Sequence, residues 1–191
     1  GHFYGAVMGD MYETPLDLAE TQSQGNEWLF LAFLEDELTE DVYNAYISYI
    51  VYELIAGTLV QLAVDAFEKA VYSQENIEGF NEEDFEQLMA EVVMPYGGIE
   101  FYNEYLTDLQ RYWKMVVVES PVYYVSYAVS SMAALNLFPI AREDSAEAME
   151  IYCGLVELDD YDDGFLAIIE EAGLPGPFQE DVYEYIYEMF P

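Results

Sequence analysis

Apolar residues recur at helical spacing almost from end to end of this chain, and no stretch alternates with period two for long enough to make a strand. That pattern selects an all-α fold. Pro15 to about Asp36 carries Leu16, Ala19, Ser23, Asn26, Phe30 and Phe33 along one broad face, with Pro15 in the first turn. Thr39 with Glu40 and Asp41 reads as an N-cap followed by acids, opening a helix to about Tyr72 that Gly57 would kink. Asn81-Glu82-Glu83-Asp84 opens another helix, closed near Pro95-Tyr96-Gly97-Gly98, and a further one reaches about Trp113. Ser120-Pro121 starts a helix to about Phe138, where Pro139 interrupts. Glu143 to Leu158, Gly164 to Ala172 and Gln179 to Phe190 complete a bundle of about eight helices, with Leu174-Pro175-Gly176-Pro177 the clearest loop. No internal repeat or flexible linker interrupts it, so residues 1–191 read as a single helical domain.

Composition narrows what such a bundle can do. The chain holds 39 acidic and 4 basic side chains, a formal charge of −35, yet 53% of its residues are apolar. High charge without low hydrophobicity is not the signature of disorder. Four scattered cations, Lys69, Arg111, Lys114 and Arg142, argue against direct nucleic-acid binding and against an anionic membrane surface. The most apolar stretch, Ala45 to Phe67, contains Glu53, Gln61 and Asp65 at helical spacing and reads as a buried helix, not a membrane span. One cysteine, Cys153, excludes an internal disulfide. No basic stretch precedes an apolar block at the start, so the expected location is the cytoplasm.

Two segments stand out from the acidic background. Glu20, Ser23 or Gln24, and Glu27 fall at i, i+3/i+4 and i+7, which puts two carboxylates and small polar groups on one helical face between apolar flanks. A partly buried carboxylate pair needs a cation, a proton or hydrogen-bond partners. The competing reading is a polar notch on a helix. Tyr123, Tyr124 and Tyr127 form the second segment, with the phenols of Tyr123 and Tyr127 one turn apart. Buried phenols donate to a developing oxyanion. Against 19 tyrosines in the chain, spacing alone favours ordinary tyrosine usage.

Taken in order, these segments resemble the C-terminal half of the M3 zinc metallopeptidases, which include thimet oligopeptidase and, closer to this chain, oligoendopeptidase F. Glu20, Ser23 and Glu27 match that family's E-x-x-S-x-x-x-E helix. Trp113 and Pro121-Val122-Tyr123-Tyr124-Val125-Ser126-Tyr127-Ala128 are similar to its W…P-F-Y-Y-[IV]-x-Y-A pattern, and Asp65 to Tyr72 to its F-x-x-x-V-Y stretch. Gly1-His2-Phe3 resembles the end of an H-E-F-G-H-F motif. The resemblance spans nearly the whole chain and implies a helical catalytic lobe. It implies Glu20 and His2 as zinc ligands, Glu27 and Ser23 behind them, Tyr123 and Tyr127 as oxyanion donors, and Tyr124 against the substrate.

The departures from the family are equally specific. The first histidine and the general-base glutamate of HExxH are not among these residues. The family's later histidine belongs between Trp113 and Pro121, where this chain has Lys114-Met115-Val116-Val117-Val118-Glu119-Ser120. A catalytic zinc normally needs three protein ligands and an open position, and at most two are named here. The expectation is a truncated or degenerate M3-type lobe that neither hydrolyses peptides nor holds zinc tightly by itself. Its partner would be a peptide, or a separate lobe supplying the HExxH helix of a split enzyme. Apolar surface left open by a partial domain predicts a homodimer or a hetero-complex, with salt strengthening association against −35.

Overall fold

The computed structural model describes residues 14–96, 113–158 and 163–188. Among them every regular element is helical. The α-helices are α1 (Leu16–Glu37), α2 (Glu40–Tyr72), α3 (Glu82–Val93), α4 (Tyr124–Leu135), α5 (Leu137–Glu143), α6 (Ser145–Glu157), α7 (Phe165–Glu171) and α8 (Glu180–Glu188). Short 3-10 turns sit at Ile77–Gly79 and Met94–Tyr96, and a π-helical turn at Met115–Glu119. The expected helix approaching Trp113, the residue His2 and the end of the chain after Glu188 lie outside the described residues.

Local chemistry explains most of the boundaries. Asn81 accepts from the N–H groups of Glu83 and Asp84 while Asp84 accepts from the N–H of Asn81, a reciprocal cap that opens α3. Asp144 caps α6 through Ala146 and Glu147. Gly173, with φ 86, ends the run after α7 in a conformation that suits glycine. Two expectations need correction. The helix expected from Ser120 begins only at Tyr124, because Val122 adopts φ 59 and diverts the chain. Pro139 does not interrupt the next stretch; the break falls at Asn136, and Pro139 lies in the first turn of α5. A first-turn N–H has no partner inside its own helix, so proline there forfeits nothing. The Asn136 amide donates to Met132 O at 2.9 Å, closing the end of α4.

Contacts gather into two compact units, Gly1–Leu54 with Val129–Pro191, and Ile55–Ala128. The divisions fall inside α2 and α4, so no loop composition marks them. In the first unit α1 packs on α5 and α6. One of its cores gathers Trp28, Leu31, Tyr43, Met132, Leu135 and Phe138, with the Trp28 and Phe138 rings 5.6 Å apart. A second joins Leu18, Ala133, Leu137, Leu155, Ile168 and Ile169. The second unit is built on Val64, Phe67, Val71, Phe85, Met89, Val93 and Val116, with Phe85 stacked 4.2 Å from Trp113.

The buried face of α1 is not the one the sequence suggests. Leu18, Thr21, Gln22, Gly25, Trp28 and Leu31 point inward, while Ser23, Asn26, Phe30 and Phe33 face solvent. Phe30 and Phe33 stack on each other instead, with centroids 6.3 Å apart. Polar groups can occupy the core here because each finds a partner. Gln22 Nε2 donates to Leu155 O at 2.8 Å and Thr21 Oγ1 to Asp17 O at 2.7 Å.

The reading of Ala45 to Phe67 as a buried helix also needs revision. In the most apolar window of α2, 22% of the residues are buried, and Tyr49, Tyr52 and Ile55 are exposed. By length and composition, α2 and the combined Tyr124–Glu143 stretch are long and apolar enough to cross a membrane.

Candidate functional site

In the second unit one face of α2 controls the segment leading into α4. Glu68 and Tyr72 are one turn apart on α2, and both bond to the backbone of that segment. Glu68 Oε1 accepts the Val122 N–H at 2.8 Å, and the Tyr72 hydroxyl donates to Val117 O at 2.8 Å. The π-helical turn between them ends with Ser120 N–H bonded to Met115 O at 2.8 Å. Val122 then takes φ 59, a costly conformation for a β-branched residue, with its side chain exposed. The carboxylate contact compensates for part of that strain and aims the chain into α4.

The first residues after this turn are the tyrosines. Tyr123 and Tyr127 have their hydroxyl oxygens 2.7 Å apart, and their rings meet edge to face at 5.3 Å. Tyr124 packs edge-on to Tyr123 at 5.6 Å. The structure therefore brings together the three tyrosines that the sequence singles out.

Glu68 is the residue that sequence reasoning missed. It is only 3% exposed, and its Oε2 is buried with no hydrogen-bond partner among the described residues. Burial pushes its pKa up; the Val122 N–H pulls the other way, and nearby Asp65 adds to the rise. Burial likewise raises the Tyr72 phenol, with Glu68 contributing. A signal was available. Val64, Phe67, Glu68 and Val71 share the apolar stripe of α2, and a carboxyl on such a stripe needs an explanation.

The first unit holds the other predicted residues. Glu20 is 7% exposed, and its Oε2 accepts from Ser23 Oγ at 3.2 Å. Glu27 is exposed on α1, so the two carboxylates do not form a buried pair. The neighbouring polar contacts belong to Gln24, whose amide bonds Ser130 and Ser131. Glu20 and the tyrosines belong to different units. Among the described residues no group of three or more His, Cys, Asp or Glu is placed to share a metal ion. The ligand set that the resemblance implies is thus not assembled by the described residues, and His2 lies outside them.

Comparison with protein-family models, with curated proteins and with solved structures finds no match to this chain.

Proposed function

We propose that this chain is a peptide-binding lobe of M3 zinc-oligopeptidase type that does not catalyse hydrolysis by itself. The observation that carries the reading is the Tyr123–Tyr127 hydroxyl pair, held at the head of α4 by the Glu68–Val122 contact. In the family that the chain resembles, tyrosine hydroxyls stabilise the oxyanion, and this pair would meet the carbonyl of an extended peptide in the same way, exchanging present partners for it. The chain has one histidine, so the histidine pair of HExxH cannot come from these residues alone. Lys114 to Ser120 supplies no histidine to neutralise a tetrahedral intermediate. The lobe would serve a complementing lobe or retain peptide binding only, in the cytoplasm, where the unpaired thiol of Cys153 is at home.

The test uses a quenched fluorescent oligopeptide. Cleavage with added zinc is expected to stay at background, while the same peptide binds measurably by anisotropy. Tyr127→Phe keeps the ring and removes one hydroxyl, and is expected to weaken binding about fivefold, the worth of one hydrogen bond. Zinc-dependent turnover would sink the non-catalytic reading. Absence of binding, or a Tyr127→Phe protein that binds unchanged, would sink the peptide-binding one.

A further inference from the structure

Three acids, Glu35, Asp36 and Glu37, close α1, with no basic residue in its last turn. Carboxylates at the negative end of a helix dipole are unfavourable unless a cation lies nearby. The first unit sets this end beside Arg142-Glu143 at the end of α5 and the start of α6, around a cavity of about 1170 Å³. Arg142 is already committed, since its guanidinium grips both oxygens of Glu35 at 2.7 Å. Asp36, Glu37 and Glu143 form no ion pair among the described residues. Between these acids the wall is apolar. Phe33 is 59% exposed and Met149 is 49% exposed, with Pro139 between their helices.

Among the described residues no cation is placed against these three acids: Lys69 pairs with Asp65, Arg142 with Glu35, and Lys114 lies over the Trp113 ring. A second copy offers as few cations and carries −35 of its own. We propose that this groove docks a basic amphipathic helix of a partner protein. Lysine or arginine side chains of that helix would reach Asp36, Glu37 and Glu143, and its apolar face would cover Phe33 and Met149. Charge complementarity selects the partner, and the exposed apolar wall fixes where it sits.

The experiment titrates the full chain into a dye-labelled synthetic amphipathic peptide of lysine and leucine, read by anisotropy. A scrambled peptide of the same composition serves as the reference. Phe33→Ser with Met149→Ser leaves the charge unchanged and alters two exposed side chains. It is expected to weaken binding about tenfold or more, as loss of a central apolar anchor does. Glu37→Gln with Glu143→Gln is expected to do the same. Removing two remote charges, Glu75→Gln with Glu78→Gln, is expected to change binding less than twofold, since screened surface charge acts diffusely. Circular dichroism checks that each variant keeps its helices, and Met149→Ser alone repeats the test where the double variant does not fold. The proposal is overturned if the scrambled peptide binds as tightly, or if all three double variants weaken binding alike. It is also overturned if the apolar variant abolishes self-association while leaving peptide binding intact, because the occupant is then a second copy.

Discussion

Glu68 concentrates the chemistry of the second unit in one side chain. One oxygen stabilises the left-handed turn at Val122, and the other is buried without a partner among the described residues. Its folded pKa lies above the ordinary 4.5, so the fold favours the protonated carboxyl. The sign follows directly. Its stabilising contribution is complete below the ordinary value and declines as pH rises through the raised one. Glu68→Gln mimics the protonated form and keeps an acceptor for Val122. It is expected to raise stability at neutral pH and to flatten the loss of stability between pH 4.5, the ordinary value, and neutral pH. Urea unfolding followed by circular dichroism at the two pH values decides it. A variant less stable than wild type at neutral pH would show that the charge itself holds the turn.

Helices fail or hold through their contacts, and glycine makes the point twice. A Cβ on Gly25 would lie 2.7 Å from Leu137 Cδ1 and 3.5 Å from Tyr152, at the place where α1 packs on α5 and α6. Gly25→Val is therefore expected to cost about 1–3 kcal/mol through overpacking. Gly57 in α2 has open space around its Cβ position, so Gly57→Ala is expected to gain about 0.5–1 kcal/mol from helix propensity alone. Thermal melts of the two variants, scored for opposite signs, provide the check. The same elements show what a sequence reveals. The limits of α2 and the opening of α3 were legible, because helical period and capping chemistry act over a few residues. The inward face of α1 was not. Gln22 is paid for by Leu155 O, 133 residues away, and Gln24 by Ser130, contacts that no local pattern encodes. The one-turn spacing of Tyr123 and Tyr127 was legible, although spacing alone favoured ordinary tyrosine usage, and Glu68 stood as a carboxyl on the apolar stripe of α2 whose partner, Val122, lies 54 residues away.

Across the whole molecule, charge is the dominant stress. Only two ion pairs, Lys69–Asp65 and Arg142–Glu35, are formed among the described residues, against 39 acidic side chains in the chain. Repulsion among exposed carboxylates weakens any compact state and is screened by salt. Raising ionic strength from about 0.01 M to 1 M shortens the screening length from about 30 Å to 3 Å. The melting temperature is expected to rise by about 2–8 °C, an effect of about 1–2 kcal/mol. A calorimetric melt in each buffer measures it, and a fall would mean that the two ion pairs outweigh the repulsion. Cys153 adds one more property at this scale. It is exposed on α6, one turn beyond Met149 on the same helical side. As the sole thiol of the chain, it can carry a single maleimide dye beside the acidic groove, and in air it can join two molecules covalently. Mass measured with and without reductant would therefore separate a disulfide-linked pair from an assembly held by surface contact.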